Sequence, residues 1–174
     1  MNPVVIVFCN GNAKFVVGED AIDIDSSSSA QANPIISPYS NIVMHLMRSK
    51  ENMGSIDHPD AQGFFLGECG DRMQIDLKIF DGRILEARFN SDGCGVTAAC
   101  GSMITKMACT KTLDQAEKIT PSDLITILGG LPEDHEHCAE LAVMTLREAC
   151  IDAVEGFGKP INKNSLHENE NARS

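Results

Sequence analysis

Three of the chain's seven cysteines lie in local settings that suit metal chemistry. Cys69 precedes Asp71 by two residues, just ahead of a predicted strand. Cys94 lies between two glycines where a predicted strand gives way to a helix, and Cys138 follows His137 in the first turn of a long predicted helix. The free N–H groups and the positive end of a helix N-terminus favour thiolate over thiol. We therefore expect Cys94 and Cys138 to be biased toward the thiolate.

Together these positions offer three thiolates, one imidazole and one carboxylate. Thiolates suit iron–sulfur clusters and zinc, whereas a carboxylate is a harder and poorer partner for cluster iron. A mixed set of this kind is expected to hold a cluster less permanently than the four cysteines of a permanent site. The separations, 25 residues from Cys69 to Cys94 and 44 from Cys94 to Cys138, match no short metal motif. On spacing alone, buried structural thiols remain an equal alternative.

Composition limits the function classes. The 174 residues are 43% hydrophobic, enough for one domain with a core and short for two. A formal net charge of −11 argues against nucleic-acid partners, because phosphate binding needs clustered Lys and Arg, and it fits docking on basic partners. No membrane span or signal peptide is recognisable, which predicts a cytoplasmic protein. In a reducing compartment, an odd number of cysteines indicates metal binding, reactive thiols or core packing.

Three regions differ in texture. Residues 1–36 form an N-terminal extension, predicted as a β-hairpin of two β-rich runs, Val4–Phe8 and Lys14–Val17, followed by a Ser-rich linker. Residues 37–157 form the working domain. Residues 158–174 are polar and predict a flexible tail.

Within the working domain, strand signals precede helix signals. Alternating apolar residues around Asp81-Gly82 predict a hairpin over 72–90. Cap and periodicity signals predict a helix opened by Ser37, one over 96–108, short ones opened by Thr112 and Thr120, and a long one over 135–155. The long helix is expected to bury Ala142, Leu146, Ala149, Ala153 and Val154. This order predicts an α+β fold, a small antiparallel sheet with helices packed on one face.

The sequence resembles the U-type iron–sulfur assembly scaffolds, IscU and the N-terminal domain of NifU. The resemblance covers about residues 39–155, and its combination of segments is highly specific although each segment alone is not. The matching segments are Cys69-Gly70-Asp71, Ala87-Arg88-Phe89, Gly93-Cys94-Gly95, Leu113-Asp114-Gln115-Ala116 and Leu131-Pro132 leading to His137-Cys138-Ala139. The resemblance implies a sheet of about three antiparallel strands covered by helices.

The resemblance also implies a function. A transient [2Fe–2S] cluster would be assembled from iron and from sulfur delivered by a cysteine desulfurase, then transferred to apo iron–sulfur acceptor proteins. The implied ligands are Cys69, Asp71, Cys94, His137 and Cys138, with Cys138 as the persulfide acceptor. Such a protein is a scaffold and cluster carrier and not an enzyme. The neighbouring His135 is expected to point elsewhere.

Two departures from the family pattern narrow this expectation. The stretch Leu131-Pro132-Glu133-Asp134-His135 lacks the second proline and the lysine read by a dedicated chaperone, which disfavours chaperone-driven transfer. No long insertion separates Asp71 from Cys94, which disfavours the zinc-dependent SufU branch. An alternative is a zinc-bound sulfurtransfer partner, in which Cys69, Asp71, Cys94 and Cys138 hold tetrahedral zinc. Such a protein would accept persulfide from a cysteine desulfurase by exchanging one zinc ligand, with no cluster as product. A non-catalytic interaction module is another. A homodimer sharing one cluster, and a [4Fe–4S] product, stay open.

Overall fold

A short β-hairpin opens the part of the chain that the structure describes. The computed structural model describes the backbone of residues 5–9 and 12–16 and all atoms of residues 37–156. Strand β1 (Val5–Cys9) pairs antiparallel with β2 (Asn12–Val16), with Val5 opposite Val16 and Cys9 opposite Asn12. These two strands lie in the region for which the sequence predicts an N-terminal hairpin. The predicted linker and the C-terminal tail lie outside the described residues.

The main sheet has three antiparallel strands in the order β3-β4-β5, namely β3 (Ala61–Leu66), β4 (Arg72–Phe80) and β5 (Arg83–Ser91). Asp81 and Gly82 join β4 to β5 with φ of 50° and 70°, the left-handed pair that a two-residue hairpin turn requires. The hairpin predicted over 72–90 is thus confirmed. Strand β3 is implied by the family resemblance but not by the local pattern, because its inward positions include Ala61 and Gly63, which carry little apolar signal.

Five α-helices follow the predicted order, and cap chemistry accounts for most of their starts. They are α1 (Asn41–Ser49), α2 (Gly95–Ala108), α3 (Leu113–Glu117), α4 (Pro121–Ile127) and α5 (Glu136–Gly156), with a 3₁₀ turn at Glu133–His135 just before α5. Thr112 and Thr120 form capping boxes, as predicted. The prediction that Ser37 caps α1 is wrong. Ser40 caps it by accepting from Val43 N at 3.1 Å, while Ser37 Oγ accepts from Tyr39 N.

Helices α2 and α5 pack on the inner face of the sheet and complete the predicted α+β fold. Two glycines allow the close approach. A Cβ at Gly101 of α2 would lie 2.5 Å from Cε2 of the buried Phe89 in β5, and one at Gly63 of β3 would lie 2.9 Å from Ala149 Cβ of α5. Within the described residues, no helix has both the length and the apolar character needed to cross a membrane.

The buried stripe of α5 matches the prediction except at its end. Ala142, Leu146, Ala149 and Ala153 are buried, whereas Val154 is 66% exposed. Val154 is one residue beyond Ala153, which rotates its side chain by about 100° away from the stripe. The angular position of Val154 around the helix axis, and not its apolar character, therefore determines that its side chain is exposed.

Candidate metal centre

The candidate site lies where three element ends meet. The β3–β4 loop carries Cys69 and Asp71, the β5–α2 junction carries Cys94, and the first turn of α5 carries Cys138. The loop is a tight turn in which Gly67 N donates to Asp71 O at 2.9 Å, and Gly70 takes a φ of 87° that suits glycine. Element ends leave side chains and free backbone N–H groups facing the same space, which is a favourable place to bind a metal.

Cys94 occupies the N-cap position of α2 and is exposed. Burial is the largest single influence on the pKa of its thiol and raises it. The neighbouring Thr97 hydroxyl, the backbone N–H groups of Thr97 and Val96 and the Cys138 thiol favour the thiolate and together outweigh burial, so this pKa lies below its ordinary value. The expectation that the start of α2 favours a thiolate therefore holds for Cys94.

Thr97 links three of the expected ligands. It is fully buried, and its hydroxyl donates to Asp71 Oδ2 at 2.9 Å. The same oxygen lies 3.4 Å from Cys138 Sγ and 3.5 Å from Cys94 Sγ. The sequence pattern did not single out this residue. The available signal was its place three residues after Cys94 on a helix, where both side chains share one face.

Gly93 lets the Asp71 carboxylate reach Thr97. A Cβ at position 93 would lie 2.8 Å from Asp71 Cγ and 2.8 Å from Thr97 Cβ, closer than real Cβ contacts allow. The absence of a side chain at this position therefore places the carboxylate of one loop against the first turn of the next helix.

Cys138 departs from the expectation for a helix N-terminus. Its side chain is fully buried, and burial raises the pKa of its thiol to about 12, although the Thr97 hydroxyl opposes this. Negative charge on Cys94 and Cys69 raises the pKa further. The prediction that Cys138 is biased toward thiolate is wrong for the metal-free chain, because burial and neighbouring thiols outweigh the helix terminus.

Both histidines near Cys138 lie at the site. Nε2 of His137, an expected ligand, is 3.5 Å from Cys138 Sγ. The expectation that His135 points elsewhere is wrong, since its ring nitrogen and the sulfurs of Cys94 and Cys138 all lie within 4.8 Å of one another. The 3₁₀ turn places His135 three residues before Cys138, at the spacing that puts side chains on one helical face.

Three further cysteines of the described residues are free, one on a loop and two in the core. Cys69 is exposed on its loop, two residues before Asp71, and negative charge on it raises the pKa of the Cys138 thiol. Cys100 is fully buried, and burial raises the pKa of its thiol. Cys150 is buried in α5, where burial and Glu117 raise the pKa of its thiol to about 11. The prediction that Cys100 and Cys150 pack in the core is confirmed.

The site therefore brings Cys94, Cys138, Asp71 and two imidazoles together around Thr97, with Cys69 on an adjacent exposed loop. Soft sulfur, borderline nitrogen and hard oxygen donors in one place suit zinc and iron better than magnesium or calcium. Fold and site together define a small α+β domain with a cysteine- and histidine-lined candidate metal centre.

Comparison with known proteins identifies the family of this domain. A family model described as the NifU-like N terminal domain matches residues 38–159, more than half of the chain. The iron–sulfur cluster assembly scaffold protein IscU 1 of Archaeoglobus fulgidus is 38% identical over 122 residues, covering 70% of this chain and 80% of that protein. The scaffold protein IscU of Escherichia coli K12 is 34% identical over 119 residues, covering 66% and 92% respectively.

A solved structure supports the fold. The N-terminal part of a NifU-like protein from Brucella abortus gives a TM-score of 0.54 at 17% identity, covering 67% of this chain and 94% of that chain. The chain belongs to the NifU-like N-terminal domain family, which includes the U-type scaffolds that the sequence resembles.

Proposed function

We propose that this protein is a scaffold on which an iron–sulfur cluster is assembled and from which it is passed on. The observation that carries the proposal is the convergence of Cys94, Cys138 and Asp71 on the Thr97 hydroxyl, with imidazole nitrogens beside them. The names of the similar IscU proteins, which are assembly scaffolds, support it. The cluster would be a transient [2Fe–2S] cluster.

Each side chain has a distinct role in this proposal. Cys69, Cys94 and Cys138 would be the thiolate ligands, and the exposed loop would bring Cys69 toward the other two. Asp71 would be the weak ligand that permits release, and His137 an exchangeable one. Because coordination to a metal ion removes a thiol proton, iron would ionise Cys138 in spite of its burial.

Sulfur would arrive by persulfide exchange. The Cys138 thiolate attacks the outer sulfur of a desulfurase persulfide, a new S–S bond forms, and the desulfurase thiolate leaves. Two sulfane sulfurs then take up four electrons to become sulfides. Two ferrous ions supply two of these electrons as they become ferric, and a reductant of the thiol or ferredoxin class supplies the other two. Since Cys138 is buried in the resting chain, this step requires the start of α5 to open locally.

The partners follow from this chemistry. A cysteine desulfurase would supply sulfur, and apo iron–sulfur proteins would receive the finished cluster in the cytoplasm. The protein would act as an assembly site and cluster carrier and would not itself be an enzyme. A surface of net charge −11 would favour basic docking surfaces on these partners.

Anaerobic reconstitution tests the proposal. The purified chain is incubated with ferrous iron, cysteine, a thiol reductant and a cysteine desulfurase, and the visible spectrum is recorded before and after adding an apo-ferredoxin. We expect sulfide-to-iron charge-transfer bands that pass to the ferredoxin, that are lost in Cys94→Ser and that are retained in Cys150→Ala, a change in the core away from the site. Bands that survive Cys94→Ser would contradict the assignment of the site.

The zinc-bound sulfurtransfer alternative is favoured by one observation, the sulfur and nitrogen donors of Cys94, Cys138 and His135 within 4.8 Å of one another. The same reconstitution separates the two functions. A colourless, folded protein that holds tight zinc and carries a protein persulfide would overturn the scaffold function in favour of sulfur transfer.

A further inference from the structure

His135 lies in a position that a metal ligand would occupy. Its ring nitrogen forms a compact group with the sulfurs of Cys94 and Cys138, all within 4.8 Å of one another. Ligand atoms around a tetrahedral ion lie roughly 3.5–3.8 Å apart, given the usual zinc–sulfur and zinc–nitrogen bond lengths. The group is therefore one small inward movement from ligand geometry.

The backbone and one aromatic neighbour hold the His135 ring in this place. His135 N donates to Pro132 O at 2.8 Å and closes the 3₁₀ turn that leads into α5. The ring packs against Tyr39 with centroids 5.7 Å apart and an interplanar angle of 51°. A side chain fixed on both sides loses little further freedom when it binds an ion.

The two nitrogens of the ring have different surroundings. Nδ1 is buried and has no hydrogen-bond partner among the described residues. Nε2 lies 3.8 Å from Asp134 Oδ2, at ion-pair distance. A buried nitrogen without a partner is costly, and a metal ion would satisfy it. Because Nδ1 is the buried nitrogen without a hydrogen-bond partner among the described residues, the geometry favours Nδ1 as the ligand atom.

We propose that His135 Nδ1, Cys94 Sγ and Cys138 Sγ bind a single divalent ion of the zinc or ferrous class before sulfur arrives. The inference rests on the proposed scaffold function, in which this group is where the first iron enters. Binding releases the two thiol protons to solvent and leaves the imidazole neutral. Asp71 stays hydrogen-bonded to Thr97 at this stage, and Cys69 stays on its exposed loop.

Zinc binding to the metal-free full chain tests the inference without any cluster chemistry. Zinc is titrated under reducing, anaerobic conditions against a chelating dye, and long-range ¹H–¹⁵N spectra of the histidine rings are recorded with and without the ion. We expect the Nδ1 signal of His135 in the wild-type chain to shift on zinc addition. We also expect His135→Ala and His135→Gln to weaken zinc binding about tenfold or more.

His45→Ala serves as the matched control, because His45 is an exposed α1 histidine whose ring contacts Glu51 away from the site. It should bind zinc as the wild type does. The inference is overturned if both His135 variants bind within about twofold of the wild type, or if the ring of His135 gives no zinc-dependent shift. The wild-type spectrum decides the question even if a variant folds poorly.

Reconstitution of the wild-type chain, scored separately, distinguishes this inference from the proposed function. A chain that assembles a cluster but binds zinc without His135 overturns the His135 assignment alone. A chain that binds zinc through His135 but assembles no cluster overturns the scaffold function alone.

Discussion

The pKa values of two thiols in the candidate site shift from the ordinary value in opposite directions. Cys94 is exposed at the start of α2, and hydrogen bonds hold the pKa of its thiol below the ordinary value. Cys138 is fully buried, and burial raises the pKa of its thiol to about 12. Both residues lie at helix starts, so burial decides the difference between them. In the metal-free chain, Cys94 is the better nucleophile.

Alkylation of the metal-free chain should follow this order. At neutral pH a thiol whose pKa is lowered has a larger thiolate fraction, whereas a thiol with a pKa of about 12 stays protonated. Iodoacetamide should therefore modify Cys94 well before Cys138, and raising the pH toward 9 should speed the reaction at Cys94 without exposing Cys138. Peptide mapping by mass spectrometry measures both rates. Modification of Cys138 first would show that the buried arrangement is not the resting one.

Removing the Thr97 hydroxyl should slow the reaction at Cys94. Thr97→Val keeps the shape but removes a hydroxyl that lies 3.5 Å from Cys94 Sγ and favours the thiolate. A loss of about 1 kcal/mol of this stabilisation should make alkylation at fixed neutral pH fall about fivefold. Thr145→Val is the matched control, since Thr145 is also a fully buried helical threonine and its hydroxyl donates to Leu141 O. An equal change in both variants would contradict the role of Thr97.

Asp71 is expected to set the lifetime of the cluster. Replacing the weak ligand should leave the cluster held by the sulfur and nitrogen donors, so Asp71→Ala should give a longer-lived cluster that transfers more slowly. Decay of the visible bands and transfer to an apo-ferredoxin measure these two properties. Faster loss of the cluster from the variant would contradict the role given to Asp71.

At the scale of elements, the site depends on how closely α2 lies to β5. Gly101 of α2 leaves room for the fully buried ring of Phe89, and a Cβ there would lie 2.5 Å from Phe89 Cε2. Because Cys94 and Thr97 are on the first turn of the same helix, any displacement of α2 moves two site residues together.

Gly101→Ala should destabilise the fold. Helix propensity alone favours alanine by about 1 kcal/mol, but overpacking against a rigid ring should outweigh it and give a net loss of about 1–2 kcal/mol. Urea unfolding measures the change. Gly156→Ala is the control, because a Cβ at that end of α5 would meet nothing within 4 Å, and its stability should stay within about 0.5 kcal/mol of the wild type. Equal stabilities would mean that Phe89 moves aside at no cost.

Sequence patterns predicted the elements better than they predicted the contacts between them. The hairpin around Asp81-Gly82 and the capping box of Thr112 follow from local chemistry, which the residues themselves carry. The place of His135 and the role of Thr97 depend on how loops from distant parts of the chain meet. The protonation state of the Cys138 thiol depends on its burial, which only the packed structure determines. Local signals and the family resemblance therefore indicated the residues of the candidate site but did not give its electrostatics.

At the scale of the whole molecule, the buried core of the described residues extends from Val43 to Ala153 and draws on every main element of the working domain. All the proposed ligands lie within the same range. We therefore expect the domain predicted over 37–157 to fold as one unit.

A fragment of residues 37–157 should fold and bind zinc by itself. We expect cooperative urea unfolding with a midpoint close to that of the full chain, since the buried core residues that the structure describes all lie within the fragment. Circular dichroism during urea titration, with the full chain as control, measures this. A non-cooperative transition in the fragment would show that residues 1–36 contribute to the core.

The contact between Tyr39 and His135 has an optical consequence. The chain has no tryptophan and a single tyrosine, so its tyrosine emission comes from one ring, and that ring lies 5.7 Å from an imidazole of the site. An iron ion or a coloured cluster bound beside His135 would quench the fluorescence of Tyr39 by energy transfer. Loading and unloading of the scaffold would then appear as dimming and recovery of the protein's own ultraviolet fluorescence, with no label attached.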